Sequence, residues 1–268
     1  MNKATFGIEA SWVRDGLTPA GVGESVLAML RRLEPLSPSM SNWLLVDAPR
    51  DSEFFAVPLA QATKDIGAFV EHSLVWKDFD EPMADPEHGY RVIVRGSKSG
   101  SEFGAPDTVD ICVNAGSKWI NDIDFGTGLR FKEYDPTLVT YPIYGGALEV
   151  LATVWPCPWA LARVWEPDVW PVDRPRPGQE RNSESPFEIA WIAYLSAPLA
   201  AGLAPPPEIA SKPTPGGGVV LSTVETRLDP ADTEHMRRSR MLQAILEERV
   251  GRDDTGRAAW HAARAGPY

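Results

Sequence analysis

At 268 residues, 43% of them hydrophobic and 24% charged, the chain is long enough to bury a sizeable core in one large domain or two small ones. A formal net charge of -11 sets it against nucleic-acid phosphates and anionic lipid, and favours simple solubility or a basic partner. The 25 prolines and 22 glycines punctuate apolar runs, which is the pattern of a folded chain rather than a disordered one.

In chain order, the first expected strand is Ala4–Val13, where Phe6, Ile8, Ala10 and Trp12 alternate with less apolar positions. A helix follows over Pro19–Leu33, with Thr18 as N-cap, Pro19 at its first position and Val22, Val26, Met29, Leu30 and Leu33 on one face. Trp43–Val46 is a short apolar strand, and Ala62–Leu74 has helical spacing at Ile66, Phe69 and Val70. An acidic loop, DFDEPMADPEH, occupies residues 78–88. Strands resume at Tyr90–Arg95, Thr108–Asn114 and Trp119–Phe125, with connections too short for crossover helices, so they pair antiparallel.

Pro142–Trp155 reads as a helix that tolerates Gly145 and Gly146. Strands at Leu161–Trp165 and Glu188–Leu195 flank the charged, proline-rich PVDRPRPGQERNSES. LAPPPEIASKPTPGGG reads as a flexible connector, Val219–Thr226 as a strand, and the last helix opens at Asp229 and runs to Val250. Residues 1–250 thus form a single α+β domain, a mainly antiparallel sheet covered by helices, with two subdomains able to meet near 135–140; residues 251–268 are a polar tail that Trp260 can dock.

Chemistry is sparse. His72, His88, His235 and His261 are scattered, and HExxH, GxSxG, the P-loop pattern and a strand-to-helix GxGxxG are all absent. Cys112 and Cys157 make no CxxC, and no histidine stands at a metal-like spacing from either. DIDFGTGLRFKE, with Asp122, Asp124 and Glu133, echoes a calcium loop, but Thr127 takes the glycine position and the flanks read as strand. Asp122 and Asp124 are therefore expected on the solvated face of a strand end. No catalytic, metal-binding or cofactor-binding residue is assigned. MNKATFGIEASWVRDG lacks the apolar run of a signal peptide and no later run reaches transmembrane length, so the expectation is a cytoplasmic protein without a membrane partner.

Two features point to a partner surface instead. Asp78, Asp80, Glu81, Asp85 and Glu87 form an acidic run free of Lys and Arg, either a solvated loop or a patch for a basic protein. WPCPWALARVWEPDVW (155–170) holds four tryptophans; Trp155, Trp159 and Trp165 fit a helix-to-strand corner in the core, and Trp170 is the one placed to face outward and anchor a partner. Glu166 and Asp168 are the only carboxylates beside the rings for a sugar platform.

The order of RVWEPDVW, AWIAYLS and GGGVVLSTVETRLDPADTEHMRRSRMLQAIL, preceded by a strand ending at Trp12, the helix SVLAMLRRLEPLSP and Trp43, resembles the immunity protein 52 family of bacterial polymorphic toxin systems. The resemblance spans about Phe6 to Leu246, and the inserts at 78–88 and 171–186 have no match in it. It implies a non-enzymatic protein that binds and neutralises a co-encoded toxin, a nuclease of the restriction-endonuclease type delivered between bacteria by a secretion system. Such a toxin is basic around its substrate groove, so an acidic inhibitor gains association rate. The alternatives are a hydrolase or carbohydrate-active enzyme with a site dispersed over the fold, and a general scaffold.

Overall fold

The computed structural model describes residues 5–13, 16–47, 55–73, 89–98, 105–118, 121–127, 134–165 and 189–250. The alternation in the first segment makes strand β1, Thr5–Trp12, with Phe6, Ile8, Ala10 and Trp12 buried. Helix α1 covers Pro19–Leu33, and Thr18 Oγ1 accepts a hydrogen bond from the Gly21 amide at 3.2 Å, so the expected cap and both boundaries are observed. Strands β2 (Leu44–Asp47) and β3 (Phe55–Pro58) follow.

The single helix expected over 62–74 is instead two pieces, α2 (Leu59–Ala62) and α3 (Ile66–His72), separated by a 3₁₀ turn. Asp65 is the cause: its carboxylate accepts from the Ala68 amide at 3.1 Å and starts a new helix there. Helix α3 packs on α1 at close range, where a Cβ on Gly23 would meet Ile66 Cγ2 at 2.8 Å.

Strands β4 (Tyr90–Gly96), β5 (Val109–Ala115) and β6 (Asn121–Thr127) come next, then helix α4 (Tyr141–Val154) and strand β7 (Trp159–Trp165). Of the two glycines in α4, Gly146 lies against Leu36, whose Cδ2 a Cβ there would meet at 2.7 Å, so Leu36 would have to shift. Strand β8 (Ala190–Leu195) leads through the short helix α5 (Ala197–Ala200) to β9 (Ala210–Pro213), β10 (Val219–Ser222) and α6 (Thr233–Val250). The stretch read as a connector thus contains a strand. Its four residues are exposed at the sheet edge, where a proline is tolerated. Helix α6 starts after Asp232, whose carboxylate accepts from the amides of Glu234 and His235.

All described strands join one antiparallel sheet in the order β3-β2-β4-β5-β6-β1-β7-β8-β10-β9, so the fold is α+β as expected. Chain positions 135–140 do not interrupt it, because β1 lies between β6 and β7. Helices α1, α3 and α4 lie on one face; α5 and α6 pack on the other, against β8. Each face has its own apolar cluster. Between Ala162 and Arg163 the β7–β8 register shifts, which turns the consecutive residues Trp191 and Ile192 to the same face.

Trp12, Trp43, Trp155, Trp159 and Trp191 are each 3% exposed or less. Trp12 and Trp155 rings stack at 5.2 Å and 31°, and Trp159 opens β7 under α6 rather than sitting in a turn. These rings belong to the core. The side chain of Trp165 and the tail from 251 lie outside the described residues. No described helix is long and apolar enough to cross a membrane.

Candidate functional site

Strand side chains alternate between faces, so the core positions of β1 and β4–β7 dictate what appears opposite them. On that second face three rows cross the sheet in register. The first runs Arg95, Asp110, Gly126, Gly7 and Arg163; the second Ile93, Cys112, Asp124, Glu9 and Leu161; the third Arg91, Asn114, Asp122, Ser11 and Trp159. No described helix packs on the β4–β5–β6–β1 part of this face. Where α6 begins to cover it, the row ends become Leu161 and Trp159.

The charges in this panel are unevenly matched. Arg95 holds Asp110 through two hydrogen bonds, Nε–Oδ1 at 2.5 Å and Nη2–Oδ2 at 3.1 Å. Arg163 forms an ion pair with Glu9 across β1 and β7. Asp122 receives one neutral donor, Asn114 Nδ2, at 2.7 Å. Asp124, opposite both Cys112 and Glu9, has neither a hydrogen bond nor an ion pair with any described residue. Ser11 is fully buried, and its hydroxyl has no hydrogen-bond partner.

The electrostatics follow from this. Burial, with the Asp124 and Glu9 charges adding to it against Asn114 and Arg91, pushes Asp122 up to about 6. Asp124 is raised as well, by burial first and Glu9 second, with Arg163 and Arg91 opposing. Burial raises the Cys112 thiol despite Arg91, so it is a poor nucleophile at neutral pH. No three metal-ligating side chains among the described residues converge closely enough to hold an ion. The panel is equipped to accept hydrogen bonds and positive charge.

Asp122 and Asp124 do share a face, as expected from their spacing. Asp122, the second residue of β6, stands near the strand end as expected, whereas Asp124 is at its middle, and both lie between β5 and β1 in the interior of the sheet. Glu9, Ser11, Asn114 and Arg163 were missed by sequence reasoning; the signal for Glu9 and Ser11 was present in the alternation of FGIEASW. Asp78, Asp80, Glu81, Asp85, Glu87 and Trp170, the toxin-binding candidates from the sequence, lie outside the described residues, as does Glu133.

No family model matches this chain, and no curated protein does. Among solved structures it is similar to the Pseudomonas aeruginosa T6SS protein PA0821, with a TM-score of 0.49 at 15% identity, over 97% of this chain and 82% of that one.

Proposed function

We propose that this chain is an immunity protein that binds a cognate bacterial toxin and neutralises it, with no catalytic turnover of its own. The observation that carries the reading is the charged panel on the half of the sheet that no described helix covers. Its unmatched carboxylates, in a chain of net charge -11, complement a basic protein. The sequence resemblance to the immunity protein 52 family supports the same reading and suggests a nuclease of the restriction-endonuclease type, delivered by a secretion system. A sugar-binding enzyme needs rings turned to solvent, whereas the tryptophans whose side chains are described are buried.

Magnitudes show what the panel contributes. Five strands about 4.8 Å apart and three rows spaced two residues apart span roughly 19 by 14 Å, about 270 Å². A standard interface buries about 800 Å² per partner, so the panel is the centre of a contact surface rather than all of it. The basic substrate groove of a nuclease would meet carboxylates where it otherwise meets phosphates, and nucleic acid would be excluded by competition.

The test is to mix the purified protein with the nuclease-type toxin encoded beside its gene. The expected result is a stable complex, loss of nuclease activity at stoichiometric protein, and an association rate that falls as salt shortens the Debye length from about 10 Å at 0.1 M to about 3 Å at 1 M. Absence of binding to that toxin would overturn the reading.

A further inference from the structure

Charges on a sheet face are ordinarily neutralised by their neighbours, and most of this panel obeys that rule. The exception is a compact region of β6 and β1. There Asp124 has no hydrogen bond or ion pair with a described residue, Asp122 has one neutral donor, and Ser11, the cross-strand neighbour of Asp122, is buried with its hydroxyl unpartnered. We propose that Asp122, Asp124 and Ser11 form a receptor for one arginine or lysine side chain presented by a protein partner. The inference rests on the immunity reading for the identity of that partner, but not for the chemistry of the receptor.

What the three residues lack in common is a donor. A carboxylate accepts several hydrogen bonds and a serine oxygen two, so the region holds acceptor capacity far beyond the single Asn114 donor. An unmet buried hydroxyl costs free energy until something reaches it. A guanidinium supplies five N–H groups in one plane, and an ammonium three. A bare metal ion is disfavoured, because the acids do not converge to a coordination sphere among the described residues. The neighbouring cations are not free to fill the gap: Arg163 pairs with Glu9 and Arg95 with Asp110. Arg91 gives its side-chain hydrogen bond to Cys112 and acts on Asp122 and Asp124 only through space, with no ion pair to either.

Two measurements on the full chain test this separately from the immunity reading. In the first, the side-chain carboxyl carbons of Asp122 and Asp124 are followed by NMR during titration with arginine amide, with glutamine amide as the neutral control. Saturable shifts at these two carboxyls with arginine amide alone support the receptor; no shift, equal shifts with glutamine amide, or a stronger response to calcium overturn it. In the second, binding of the toxin encoded beside the gene is compared for the wild type and the Asp122→Asn, Asp124→Asn double variant. A loss of tenfold or more, mainly in dissociation rate, supports the proposal. Unchanged affinity overturns it while leaving the immunity reading intact. A wild-type protein that does not bind this toxin overturns the immunity reading, and the arginine-amide titration then decides the receptor alone. Circular dichroism of the double variant checks its folding; if it misfolds, Asp124→Asn alone, at the more exposed position, takes its place under the same two outcomes.

Discussion

One face of one sheet carries two different chemistries. Under α6, the positions opposite the main core are Trp159, Leu161, Ala193, Leu195 and Leu221, closed off by Leu242, Leu246 and Val250. A few strands away, on β1, β5 and β6, the equivalent positions are Glu9, Ser11, Asp110, Cys112, Asn114, Asp122 and Asp124. The boundary falls within single rows: Glu9 is the register partner of Leu161, and Ser11 of Trp159. The backbone is continuous across it, so the cover decides the side chains. Where a helix seals the face, apolar groups are buried and contribute stability; where none of the described helices does, the face is charged, half-buried and incompletely paired. A surface whose polar groups are matched only in part is a poor contributor to stability and a good one to recognition.

Variants can break that contrast, from the largest effect to the smallest. Leu246→Ala removes a fully buried side chain from the covered half and is expected to cost about 2–5 kcal/mol, read as a clear fall in denaturant midpoint. Cys112→Ala, in the half that no described helix covers, should cost well under that; equal losses would mean that both halves are core. Arg163→Ala leaves Glu9 in the panel without its cation and should destabilise by about 1–2 kcal/mol, less at high salt if the pair is screened.

The pH dependence of Asp122 sharpens the comparison. Its folded value, about 6, lies above its ordinary one, so the folded protein holds this proton more tightly than the unfolded chain does. Stability from this group is therefore fully present below about pH 4 and is lost as pH rises through about 6. Asp122→Asn should consequently stabilise the fold at pH 7.5 by an amount on the order of 1 kcal/mol, read as a higher melting temperature, and the advantage should fade by pH 4. A destabilised variant at pH 7.5 would show that the carboxylate is paired after all. Smallest of all, Ser11→Ala deletes a buried hydroxyl without a partner and should be neutral or stabilising by up to about 1 kcal/mol in thermal melts.

Much of the fold was legible in sequence because local patterns create it. The α1 cap at Thr18, the apolar alternation in β1, and the strands β4–β6 needed only period and punctuation. Asp65 restarting a helix is a local event as well, but Ile66, Phe69 and Val70 masked it by keeping helical spacing. Strand β9 escaped notice because its exposed ASKP has no apolar face to announce it. Trp191 and Ile192 on one face depend on a bulge, which no periodicity encodes. The panel was half legible: that Asp122 and Asp124 share a face follows from their spacing, yet that Glu9 and Ser11 stand beside them follows only from β1 pairing with β6. Sequence shows what each strand presents, and long-range pairing decides what it is presented next to.

The central claim is that the half of the sheet that no described helix covers meets the partner, and the protein carries its own reporter for it. Cys112 lies inside the panel opposite Asp124, whereas Cys157, 3% exposed, belongs to the core. Alkylation of the two thiols is followed by mass spectrometry at mildly alkaline pH, with and without a stoichiometric amount of the toxin encoded beside the gene. The account predicts that the toxin slows Cys112 alkylation at least tenfold while Cys157 stays slow in both samples. A stable complex in which Cys112 reacts at its free rate would place the partner elsewhere and contradict it.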